Sequence, residues 1–144
     1  MTPEALADLH GAAFVQGRPW SASEFRDLLD GPHCRLTCTS HGFALWRAIA
    51  GEAELLTIAV RPDQQGRGVG TALMRDWMAA AAQHADTAFL EVAADNLPAC
   101  ALYTRHGFEI VARRPGYYRR GEARADALVM RAPLPFPACG ESAG

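Results

Sequence analysis

The chain has 144 residues, 49% apolar and 21% charged, with a formal net charge of −2, which suits one soluble globular domain able to bury a core and excludes a disordered chain. No apolar run approaches the roughly 20 residues needed to cross a bilayer, and the near-neutral charge gives no reason to expect a nucleic-acid partner. Cys34, Cys38, Cys100 and Cys139 lack the paired close spacings of a zinc site, and without a signal peptide they read as free thiols of a cytoplasmic protein.

Thr2-Pro3-Glu4 opens a first helix, with Leu6, Leu9, His10, Ala13 and Phe14 at helical spacing. Gly17-Arg18-Pro19-Trp20 breaks it. Ser21-Ala22-Ser23-Glu24 has capping-box spacing and starts a second helix carrying Phe25, Leu28 and Leu29, which Gly31-Pro32 stops. Cys34 to Thr39, Phe43 to Ile49 and the branched run ending at Val60 predict three strands of an antiparallel meander. Val69 begins a helix with Leu73, Trp77, Ala80 and Ala81 on one face, running to about Gln83. Thr87 to Val92 is a strand, and Asp95-Asn96-Leu97-Pro98 caps a helix bearing Cys100, Leu102 and Tyr103 that ends at His106-Gly107. Phe108 to Arg113 and Ala125 to Arg131 predict the last two strands, joined by a loop from Pro115 to Gly121. Residues 1–132 are expected to form one domain and 133–144 a mobile tail.

Between the third strand and the third helix stands Arg61-Pro62-Asp63-Gln64-Gln65-Gly66-Arg67-Gly68-Val69-Gly70-Thr71. A glycine turn into a helix presents backbone N–H groups at the positive end of the helix dipole, which suits a phosphate. A Walker loop needs a lysine, and all fourteen basic residues here are arginines. The dinucleotide fingerprint needs a glycine where Thr71 stands. What remains is Gln65-x-x-Gly68-x-Gly70, an acyl-coenzyme A type of loop, or an ordinary glycine-rich turn.

The order Ile58-Ala59-Val60, Gln65 to Gly70, Leu90-Glu91-Val92, Asn96, Ala101-Leu102-Tyr103 and Gly107-Phe108 resembles the GCN5-related N-acetyltransferases (GNAT). Within that family the chain is most similar to the ribosomal-protein alanine N-acetyltransferases of the RimI type, through the same second-half residues, Tyr117-Tyr118, and Arg18-Pro19-Trp20-Ser21 with Phe25. Two features depart from the pattern. The family usually has a strand before its first helix, and Gly116 and Arg119 stand where RimI-type sequences tend to place asparagine and proline.

The resemblance implies an α/β GNAT fold, with a mixed, mostly antiparallel sheet of about six strands flanked by about four helices. It implies acetyl transfer from acetyl-CoA, without a metal, to a protein N-terminal α-amine such as that of a ribosomal protein. A small-molecule amine acetyltransferase and a non-catalytic acyl-CoA sensor are the alternatives. Monomer and homodimer both fit. The donor site would take Ile58, Ala59, Val60, Gln65, Gly66, Arg67, Gly68, Val69, Gly70 and Thr71, with Asn96 bonding the pantetheine arm or only capping its helix. Glu91, flanked by Leu90 and Val92, would be the base, or a structural acid paired with an arginine. Tyr103 would protonate the departing thiolate, or pack on the sheet. Tyr117 and Tyr118 would wall the acceptor site, or one would pack on Phe108. The five histidines have no metal-ligand spacing and receive no role. Seven arginines from Arg105 to Arg131, against Glu109, Glu122 and Asp126, form either a basic rim or a solvated surface with ion pairs.

Overall fold

The structure, a computed structural model, describes residues 1–13 and 19–135. Phe14, Arg18 and most of the tail expected over 133–144 lie outside the described residues. In chain order the elements are α1 (Pro3–Ala13), α2 (Ala22–Asp30), β1 (Cys34–Cys38), β2 (Gly42–Ile49), β3 (Glu52–Val60), α3 (Val69–Ala81), β4 (Thr87–Ala93), α4 (Leu97–Arg105), β5 (Glu109–Arg120) and β6 (Ala123–Pro133).

The helix boundaries are set by local chemistry. Thr2 Oγ1 accepts from the Ala5 amide at 3.0 Å. Ser21 and Glu24 exchange the two bonds of a capping box, and the Asn96 side chain accepts from the Ala99 amide. Gly107 closes α4 at φ 87°, with the Phe108 amide donating back to the Tyr103 carbonyl, the bond that satisfies a helix's last carbonyls.

The six strands make one sheet in the order β1-β2-β3-β4-β6-β5. Neighbours are antiparallel except β3 and β4, which run parallel and pair only from Glu52↔Thr87 to Glu54↔Phe89. β3 continues to Val60 and β4 to Ala93, so the two strands part and the sheet splays. Near the closed end Arg131 on β6 reaches over the Phe89 ring and bonds Glu52 on β3 at 3.0 Å.

Each face of the sheet has its own core. Leu6 and Leu9 of α1 and Phe25 of α2 pack with Phe43, Leu45 and Ala59 on one face. Met74, Trp77 and Met78 of α3 and Tyr103 of α4 pack with Trp46, Leu55, Leu90, Val92 and Met130 on the other. Pairing slips between Leu45↔Thr57 and Trp46↔Leu55, which leaves Leu56 as an extra residue in β3, a β-bulge at the point where the strands part.

The last hairpin differs from expectation. Tyr117 and Tyr118 lie within β5, and Gly121-Glu122 alone joins β5 to β6. Pro115 and Gly116 read locally as strand breakers, but a register shift between Arg114↔Ala127 and Tyr118↔Ala125 absorbs them as a bulge. Asp126 on the opposite strand accepts from the Gly116 amide at 2.9 Å and from Arg113 at 2.6 Å. These bonds supply what the ladder loses there.

Candidate active site

A cleft of about 570 Å³ fills the gap between β3 and β4. Leu55 to Val60 form one wall, Leu90 and Glu91 the other, and the glycine turn closes one end. Ala13 of α1 borders it on one face of the sheet, and Ala99, Leu102 and Tyr103 of α4 border it on the other. Among the described residues no strand pairs with β3 on the cleft side beyond Glu54, so the main-chain groups from Leu55 to Val60 that point away from β2, apart from the Val60 carbonyl, are available to a ligand with amide groups of its own.

Beyond Val60, where β3 and β4 have parted, Pro62–Gln64 forms a single 3₁₀ turn, and the Gln65 side chain donates back to the Val60 carbonyl at 3.1 Å. Gly66 and Gly68 then sit at φ 77° and 82°, a left-handed conformation that side chains disfavour. A Cβ on either would meet no protein atom within 4 Å, so the protein leaves their outer side open. Gly70 is placed differently: a Cβ there would lie 3.4 Å from a Leu102 methyl, an ordinary contact, so α3 starts close beside α4 and has room for little more than a methyl group. The turn leads into the N-terminus of α3, where amides and helix dipole favour an anion. This is a fit for a pyrophosphate beside an extended amide-bearing arm.

The cleft brings together Ile58, Ala59, Val60, Gln65, Gly66, Gly68, Gly70, Thr71, Asn96, Glu91 and Tyr103. Arg67 and Val69 belong to the same turn but are not among its lining residues. Asn96 both lines the cleft and caps α4.

Glu91 and Tyr103 occupy opposite sides. Leu90 and Val92 are buried in the α3/α4 core, and strand alternation therefore turns Glu91 to the α1/α2 face. Its side chain is 29% exposed, with a carboxylate oxygen 3.6 Å from the Arg114 guanidinium. Tyr103 is buried within the α3/α4 core. Burial first, then the neighbouring Cys100 thiol and Tyr118 phenol, push Tyr103 well above the usual phenol range. It stays protonated throughout any working pH.

Tyr117 and Tyr118 are not among the lining residues. They stack edge to face with centroids 5.1 Å apart, and Arg114 lies 5.3 Å from the Tyr117 centroid. Glu91, Arg114 and the tyrosine pair thus form one connected row along the sheet. Sequence reading missed Arg114, the bulge at Leu56 and a buried histidine, His10, which bonds Thr57 on the cleft wall. Arg114 precedes a proline, and that position alone gives no sign of a partner 23 residues away.

Comparison with known proteins agrees with this architecture. A model of the acetyltransferase (GNAT) family matches residues 5–108. The chain is 33% identical over 136 residues to the ribosomal protein bS18-alanine N-acetyltransferase of Escherichia coli K12, covering 88% of this chain and 92% of that protein. It is 38% identical over 137 residues to the N-alpha-acetyltransferase RimI of Mycobacterium tuberculosis, covering 89% and 84%. The crystal structure of the Escherichia coli ribosomal-protein-S18-alanine N-acetyltransferase superposes with a TM-score of 0.82 at 31% identity, over 92% of this chain and 87% of that one. The family match begins in α1 and runs through the glycine turn, β4 and α4 to Phe108, taking in both walls of the cleft, and the chain belongs to the GNAT family of acetyl-CoA-dependent N-acetyltransferases.

Proposed function

We propose that the protein acetylates a protein N-terminal α-amine, with alanine as first residue, by direct attack on acetyl-CoA in a ternary complex. The observation that carries this reading is the two-sided cleft: one carboxylate faces α1 and α2, and one buried phenol faces α3 and α4. Identities of 33% and 38% to enzymes named for N-terminal or alanine acetylation support the choice of acceptor.

Bound acetyl-CoA supplies the acetyl group as a thioester. The glycine turn and Thr71 would hold its pyrophosphate, and the free edge of β3 its arm, with Asn96 beside α4. The Val60 amide would donate to the thioester carbonyl as negative charge develops on it. An α-amine, with pKa about 8, is roughly one-tenth neutral at pH 7, whereas a lysine near 10.4 is almost wholly charged. Glu91 would take the proton of the amine, directly or through water, with the Arg114 guanidinium 3.6 Å from that carboxylate. Tyr103 would donate its hydroxyl proton to the leaving sulfur, as a hydrogen bond before any full transfer, because burial opposes a tyrosinate. The row of Arg114, Tyr117 and Tyr118 would border the acceptor.

The test is thiol release from acetyl-CoA with an alanine-started peptide and, in parallel, a polyamine. Peptide turnover, with added mass on the α-amine, is the expected result. Turnover of the polyamine alone would move the acceptor class to small amines, and turnover of neither would sink both readings.

A further inference from the structure

His10 is fully buried, where histidines are more often partly exposed. Both ring nitrogens are committed. Trp20 donates its backbone N–H to Nδ1 at 3.1 Å, so Nδ1 carries the lone pair and the proton sits on Nε2. Nε2 lies 3.1 Å from Thr57 Oγ1 and donates to it. Thr57 stands beside the β3 bulge and lines the cleft on the α1/α2 face, the face to which Glu91 turns. Trp20, ten residues further along the chain, stands just before the α2 cap. Its ring packs on His10 at 5.2 Å and on Phe25 at 5.4 Å, and it borders a recess that shares Leu56 with the cleft.

We propose that His10 is a positioning residue for the acceptor: it fixes the approach to α2 against the cleft wall by bonding Trp20 and Thr57 at once. This rests on the proposed role of Glu91 as base, which requires the acceptor amine to reach the cleft from the α1/α2 face. The glycine turn that would take the pyrophosphate lies beyond Val60, away from the His10–Thr57 bond, and Thr57 turns its side chain to the α1/α2 face, so the ring bears on acceptor binding more than on acetyl-CoA binding. No proton transfer through His10 is involved. A ring that gained a proton on Nδ1 would present it to the Trp20 N–H, two donors face to face, and the link would break. Glu24 of α2 is the charged group that acts on the ring.

The experiment compares His10→Leu with His10→Gln. Leucine keeps the volume and loses both bonds, while glutamine offers one acceptor and one donor. Acceptor KM is expected to rise about tenfold in His10→Leu, with kcat and the Kd for acetyl-CoA within about twofold, and to return within about threefold of wild type in His10→Gln. The kinetics use whichever of the peptide and the polyamine the wild-type protein turns over, so a wrong acceptor class does not decide this question. Equal changes in acceptor KM and acetyl-CoA Kd, or a lowered Tm with unchanged KM, would overturn the proposal. Should His10→Leu not fold, His10→Asn, too short to reach both partners, is measured for the same split. Long-range proton–nitrogen spectra of the wild-type protein give a reading independent of turnover: His10 is expected as the Nε2–H tautomer at pH 7, and the other tautomer would end the proposal.

Discussion

Glu91 and Tyr103 are the base and the acid of the proposed reaction, and their surroundings suit opposite tasks. Glu91 is partly open to water beside Arg114, so Glu91→Gln is expected to lower kcat by about 10²–10⁴ while acetyl-CoA still binds; an unchanged rate would remove it from the role of base. Tyr103, raised by burial above the usual phenol range, contributes no alkaline limb to the pH–rate profile. Tyr103→Phe should slow transfer with little change in CoA affinity, and a pure affinity defect would make the residue a packing element. His10 responds to pH in another way. Burial holds it down to about 4, against an opposing pull from Glu24, while the unfolded chain titrates near 6.5. Above 6.5 the ring is neutral in both states. Between 6.5 and 4 only the unfolded state takes up the proton, so stability falls as pH falls, by about 1.4 kcal/mol per pH unit and ~3 kcal/mol in all. The urea midpoint of wild type should therefore drop more steeply across that window than that of His10→Gln, and parallel slopes would contradict the depressed value.

Turns and bulges place these residues, and glycine serves there in three different ways. A Cβ on Gly42 would lie 2.5 Å from the Ala59 carbonyl oxygen and 3.2 Å from the Val60 Cα, so the start of β2 can close on the end of β3 only without a side chain. Gly42→Ala should destabilise the protein by roughly 1–3 kcal/mol, read as a fall in Tm. Gly70→Val should strain the junction of α3 with α4 and lower stability, whereas Gly68→Ala, which meets no protein atom, should chiefly weaken CoA binding through its left-handed φ and the lost approach. If both left CoA affinity intact, the glycine turn would not be the phosphate site. Local sequence signals were enough for the helices, because Thr2, Ser21 with Glu24, Asn96 and Gly107 act on their own neighbours. They misplaced the last hairpin because the support for its bulge comes from Asp126, ten residues beyond Gly116 and on the facing strand. The slip at Leu56 and the bond of His10 to Thr57 were hidden for the same reason, since Thr57 lies 47 residues from its ring partner.

At the scale of the molecule, the sheet consists of two halves that share three parallel pairs and then separate. The resemblance to acetyltransferases implied the mixed sheet, while composition and periodicity could not give its splay, since no local pattern reports which strands stop pairing. A ligand bridging the gap contacts both halves, so acetyl-CoA at a hundred times its Kd should add about 2.7 kcal/mol of stability, visible as a higher Tm and slower amide exchange in β3 and β4 together. Protection limited to the glycine turn would mean that the arm does not enter the gap. The same opening, bordered by α1 on one side of the sheet and α4 on the other, would give donor and acceptor, bound as proposed, separate entrances. Neither need wait for the other, and a bulky acceptor can dock while the cofactor is already seated. Initial-rate plots should then intersect to the left of the axis, and a desulfo analogue of CoA should compete with acetyl-CoA while being noncompetitive toward the acceptor, the kinetic signature of a doorway on each side.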